Sequence, residues 1–249
     1  MPMNSTNDHD KIRDGALAQP HGATGAGGAE ADEDWRLLNA PDAAGNPAAA
    51  DGGDDKSLPK VILLGDSIRL GYQNHVRDAL RGRARVLFPP ENSRFAQYLL
   101  RFIGNWQNDG GWGNDASIVH WNAGLWDCLR VDGDGPMTPM PFYRDLLARI
   151  HRRLRMRFPS AKLVFATTTP IDESRCAHPE LFERRNAEIE EINAAAREVL
   201  GPLGEDFDDL YKIMASAPPS DHSDLTHWNT PSGTRRIGDA VARCILRLL

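Results

Sequence analysis

The chain has 249 residues, 41% of them hydrophobic and 26% charged, with a formal net charge of −6. No apolar run approaches the roughly eighteen residues of a membrane span, and the acidic balance excludes the basic surface that nucleic-acid binding needs. Three cysteines (Cys128, Cys176 and Cys244), odd in number and without metal-ligand spacing, suit a reducing compartment, and the start carries no apolar leader; a cytoplasmic location is expected.

Residues 1–57 are rich in Gly, Ala, Asp and Asn and show neither helical nor strand periodicity, so a disordered tail is expected there. Its eleven acidic and four basic residues give −7, which leaves the rest of the chain near neutrality. One apolar patch, Trp35-Arg36-Leu37-Leu38, interrupts it. From 58 to 249 short apolar runs alternate with longer amphipathic ones. Strands are expected at 61–65 (VILLG), 84–88 (ARVLF), 117–121 (SIVHW) and 162–168 (KLVFATT), with a fifth near 207–211. Helices are expected at 69–81, 94–105, 141–157, 183–200 and 231–248, and loops at 106–116 and 128–140. The last helix is the clearest: Ile237, Ala240, Val241, Cys244, Ile245 and Leu248 recur at helical spacing behind Thr230 as cap and Pro231 in the first turn. Apolar strands separated by helices imply one three-layer α/β/α, flavodoxin-like domain with a mostly parallel five-stranded sheet.

The first strand runs straight into Gly65-Asp66-Ser67, placing a hydroxyl at the carboxyl end of a strand, where such sheets carry their chemistry. A serine needs a base, and Asp224-Leu225-Thr226-His227, just before the last helix, offers one together with an orienting carboxylate. The α/β-hydrolase elbow is disfavoured, because Arg69 stands where its second glycine belongs. Gly65-Asp66-Ser67-Ile68, Asn122 within His120-Trp121-Asn122-Ala123, and Asp224-x-x-His227 together resemble the GDSL/SGNH hydrolase family over roughly residues 60–249. The middle blocks depart from the family pattern: Asn122 lacks the usual flanks, and in Asn92-Ser93-Arg94 an arginine replaces the oxyanion glycine.

The resemblance implies Ser67 as nucleophile, His227 as base and Asp224 as the acid, with Ser67, Arg94 and Asn122 donating to the oxyanion. Taken singly, each residue has a plainer reading: Ser67 as a helix cap, Asp224 as a turn aspartate, His227 as a surface histidine, Asn122 as a strand-end hydrogen bonder. Asp221 is the spare acid. His222, Asp224 and His227 are close enough to offer three metal ligands, but a metal there would leave Ser67 without a base, so no metal and no cofactor are expected and His222 is read as a solvated loop residue. Trp121 and Trp126 line the substrate pocket or fill the core, Asp127 supports it, and Thr167, Thr168 and Thr169 form its wall or bond their own backbone. The expected activity is hydrolysis of a carboxylic ester, with a small acyl group on a polar or carbohydrate-like alcohol. An acyltransferase with the same triad, or a non-catalytic binding module, are the alternatives. Small-molecule or carbohydrate esters are the expected partners, with neither nucleic acid nor membrane; oligomeric state is not legible.

Overall fold

Four consecutive apolar side chains at 61–64 can all be buried only if both faces of their strand are covered. In the structure, a computed structural model describing residues 55–177 and 182–249, all four are fully buried. The expected tail and its Trp35 patch lie outside the described residues, apart from residues 55–57. Strand β1 (Lys60–Leu64) is flanked by β2 (Arg85–Leu87) and β3 (Ile118–Trp121), and β4 (Lys162–Ala166) and β5 (Asp206–Asp208) extend the sheet beyond β3 in the order 2-1-3-4-5. Every pair is parallel, with Val61 beside Val86 and Ile118, Val119 beside Leu163, and Phe165 beside Phe207. The fold is the expected α/β class.

Helix α1 (Ser67–Ala79) packs against α6 (Pro231–Leu248), while α2 (Ala96–Asp109), α3 (Met140–Arg157) and α4 (Asn186–Leu200) pack in succession. The apolar stripe of α6 is buried as its periodicity requires, and Thr230 caps it, its hydroxyl accepting from the Gly233 N–H at 3.1 Å.

Several boundaries differ from expectation, three of them for a visible physical reason. The fifth strand is shorter and gives way to α5 (Leu210–Ala215), because Asp209 caps a helix by accepting from the Lys212 N–H. Helix α2 runs on to Asp109, burying Trp106, whose Nε1 donates to Glu91 Oε1 at 2.7 Å. The loop expected at 128–140 contains Arg130–Val131, which pairs antiparallel with Phe182–Glu183 as a small separate ribbon.

The strand order reverses between β1 and β3. Chain leaving β1 goes to one side and chain leaving β3 to the other, which opens a crevice at their carboxyl ends. Gly65-Asp66-Ser67 and Asn122 both sit at this reversal.

Candidate active site

Ser67 is the first residue of α1 and does not cap it. That role falls to Asp66, which has extended backbone and whose Oδ1 accepts the Ile68 N–H at 3.0 Å. The Ser67 hydroxyl is therefore left for another partner, and its N–H, in the first turn, has no acceptor within the helix.

The partner is His227, whose Nε2 lies 2.8 Å from Ser67 Oγ. On the other side of the ring, Nδ1 is 2.7 Å from Asp224 Oδ2. The three-residue spacing works because one carboxylate oxygen closes the turn while the other reaches the imidazole: Asp224 Oδ1 accepts the N–H groups of Thr226 (2.7 Å) and His227 (2.8 Å). Burial pushes the Asp224 carboxyl up, but its hydrogen bonds to His227 and Thr226 and the charge of His227 outweigh that and hold it well below the usual carboxylate range. An ionised carboxylate only accepts, so the proton belongs on Nδ1 and the Nε2 lone pair faces Ser67.

Asn122 donates its own N–H to Leu64 O at 3.1 Å, continuing the β1–β3 ladder past the end of the strand. Its side chain lies against Gly65, where a Cβ would fall 1.9 Å from Asn122 Oδ1, so only glycine admits the amide here. The amide also lies beside Asp66. Burial raises the Asp66 carboxyl, opposed by the Ile68 N–H, the Asn122 amide and the charges of His227 and Arg69.

Arg94 keeps the backbone that its residue type disfavours. Its φ is +48°, the left-handed region a glycine enters freely, so the arginine holds the backbone conformation a glycine would take. Its N–H, however, donates to Asn92 Oδ1 at 2.7 Å, so the expected oxyanion donor is engaged within its own loop. The guanidinium lies over the Tyr98 ring, 4.9 Å from its centroid.

Trp121 requires a correction. It is fully buried, packs edge-on against Phe165 with centroids 4.8 Å apart, and donates Nε1 to Glu205 Oε2 at 2.8 Å. It is a core residue with no exposed surface to offer a substrate. Trp126 is half-buried and edge-on to Phe95, 5.4 Å between centroids. Asp127 supports the loop before α2, accepting the Ala96 N–H on both oxygens (3.2 Å) and the Thr138 hydroxyl at 2.7 Å. This supplies the cap that Phe95 cannot. Burial pushes the Asp127 carboxyl up to about 6 against the pull of those two donors.

Neither alternative on the 221–227 loop fits. Asp221 accepts from Ser232 Oγ and from Arg236 Nε at 2.8 Å, tying down the start of α6 instead of facing His227. His222 is buried against Trp228, ring centroids 3.5 Å apart, and not solvated. Among the described residues no three His, Cys, Asp or Glu side chains are grouped to hold a metal. Thr169 Oγ1 accepts from Trp228 Nε1 at 3.3 Å.

One supporting residue carried no sequence signal. Arg69 is completely buried and donates to Gly65 O (3.3 Å), Pro89 O (3.0 Å) and Glu91 O, clamping the 89–94 loop against the end of β1. Ser93 completes the clamp, donating its N–H to Gly65 O at 2.9 Å and accepting the Gly65 N–H on Oγ at 3.2 Å. An arginine on an amphipathic helix normally reads as a solvent-facing residue.

Solved structures share this fold at low identity. A lipase/acylhydrolase from Enterococcus faecalis superposes with a TM-score of 0.59 at 20% identity, covering 76% of this chain and 95% of the other. An acetyl xylan esterase gives 0.59 at 16%, covering 75% and 99%. A GDSL-like lipase from Bacteroides thetaiotaomicron gives 0.58 at 15%, covering 87% and 98%. No family model and no curated protein sequence matches the chain. The architecture is thus that of the GDSL-type lipases and acylhydrolases.

Proposed function

We propose that the chain is a serine hydrolase of carboxylic esters of the GDSL/SGNH type, acting on a small acyl group such as acetyl carried by a polar or carbohydrate-like alcohol. The observation that carries this reading is the unbroken relay from Asp224 through His227 to Ser67, with contacts of 2.7 and 2.8 Å. Ser67 Oγ attacks the acyl carbon as His227 Nε2 takes its proton, and Asp224 stabilises the imidazolium that forms. Negative charge developing on the carbonyl oxygen meets the Ser67 N–H, the positive end of α1 and the Asn122 amide. The imidazolium then protonates the departing alkoxide. In the second half, water gives a proton to His227 and attacks the acyl-serine, releasing the acid and restoring Ser67 Oγ–H.

The acyl preference is supported by the acetyl ester named for one structural neighbour and by the half-buried Trp126, an aromatic face suited to a sugar ring. Cys128 and Cys244, both buried thiols, fit the expected cytoplasmic location. The test is a panel of p-nitrophenyl esters from acetyl to decanoyl, followed by acetylated xylo-oligosaccharides. Highest kcat/KM on acetyl supports the reading. Preference for long acyl chains contradicts the substrate assignment, and failure to hydrolyse any ester contradicts the activity.

A further inference from the structure

Between α1 and the carboxyl ends of β3 and β4 lies a narrow, partly closed cavity of about 10 Å³, room for about one water. Four residues of its lining each keep a buried polar atom with no hydrogen-bond partner among the described residues: Asp66 Oδ2, Tyr72 Oη, Asn122 Oδ1 and Thr168 Oγ1. An unsatisfied buried group costs about 1–3 kcal/mol, so four around one cavity call for a shared partner. Their chemistry also counts correctly. Two hydroxyls can donate and two carbonyl-type oxygens can accept, which matches the two lone pairs and two protons of a single water.

We propose that this cavity is a structural water site, and that its water receives the Tyr72 and Thr168 hydroxyl protons while donating to Asp66 Oδ2 and Asn122 Oδ1. Held by its oxygen and by the contact with Asp66, the Asn122 carboxamide keeps its second N–H available to the oxyanion. Tyr72 is thereby a positioning residue for a group it does not touch. Burial pushes its phenol far above the ordinary tyrosine range, so it stays protonated and remains a donor. The catalytic consequence rests on the serine-hydrolase reading; the water site itself does not.

Crystal structures of the wild type and of Tyr72→Phe, paired with kinetics, test the proposal. In the wild type a water is expected within about 3.2 Å of at least three of the four atoms. Tyr72→Phe, which removes one oxygen without altering shape, is expected to lose that water or turn the Asn122 amide. It should lower kcat on p-nitrophenyl acetate about tenfold at unchanged KM, slow phosphonylation of Ser67 to match, and leave Tm nearly unchanged. Thr168→Val should do the same, and Thr168→Ser should recover most of the loss; this pair serves if Tyr72→Phe does not fold. A dry cavity overturns the proposal. So does a bound water with full activity in both Tyr72→Phe and Thr168→Val. A wild type that no fluorophosphonate labels counts against the hydrolase reading alone, and the density at the cavity and at Asn122 still decides this one.

Discussion

Replacing Gly65 with alanine reaches Asn122, the proposed oxyanion donor, without changing it. The new methyl would sit 1.9 Å from Asn122 Oδ1, 3.0 Å from its Cγ and 2.9 Å from Arg69 Cβ, and real Cβ atoms do not approach closer than 3.0 Å. The Asn122 oxygen must therefore retreat by at least about 1 Å, and a displacement of that size in a catalytic group costs about 10²-fold in rate, or ~2.7 kcal/mol. Asn122→Ala should lose about 10²–10³-fold in kcat for the direct reason that the donor is gone. Both changes act on the same group, so the double variant Gly65→Ala/Asn122→Ala should turn over about as slowly as Asn122→Ala alone. It should also recover part of the roughly 1–3 kcal/mol of stability that overpacking removes from Gly65→Ala, since the carboxamide has left the space. The assay is steady-state kcat on p-nitrophenyl acetate for all four proteins, with Tm alongside. Near-wild-type turnover in Gly65→Ala refutes the reasoning, as does a double variant slower by the product of the two single losses.

Asp224→Asn should lower kcat by about 10³-fold or more with little change in Tm, because an amide presented to Nδ1 favours the tautomer with the proton on Nε2 and removes the base; kcat within tenfold of wild type contradicts the assignment of the acid. Asp127 gives a pH signature: its folded value of about 6 lies above the unfolded ~3.9, so the native state binds more protons between those values and stability falls as pH rises through that window, by up to about 3 kcal/mol. Urea unfolding at pH 4 and pH 7 should show that loss in the wild type but not in Asp127→Asn, and equal slopes would remove burial as its cause. Arg94→Gly should keep kcat within about threefold and hold or raise Tm, since it retains the N–H and relieves a positive φ; a steep rise in KM instead would assign the guanidinium to substrate binding.

The order of strands and helices was legible because continuous apolar runs and helical spacing survive in the sequence, and the two outer motifs proposed as catalytic could be picked out because each is compact. Ser67 needs only its strand end, and Asp224-x-x-His227 closes on itself through one turn. What escaped depends on packing between distant segments. In Ile-Val-His-Trp both faces of the strand are buried, so alternation could not say that Trp121 points away from the site toward Glu205. Arg69 reads as a surface charge and Asp127 only as a support of the pocket, yet both are buried because backbone groups elsewhere in the chain, the carbonyls of the 89–91 segment and the amide of Ala96, need partners. The Arg94 backbone could be recognised only as a departure from a glycine pattern, and that Asn92 engages its N–H is a matter of three-dimensional geometry. The short ribbon at 130–131 and 182–183 is below the length at which alternation is detectable.

The most direct measurement is covalent labelling of the full chain with a fluorophosphonate, read by intact mass and peptide mapping. If His227 activates Ser67 as proposed, the chain should take one adduct, on the peptide carrying Gly65-Asp66-Ser67, and Ser67→Ala and His227→Ala should take none. A wild type that stays unlabelled, or a Ser67→Ala variant labelled as fast as the wild type, contradicts a serine nucleophile at this position.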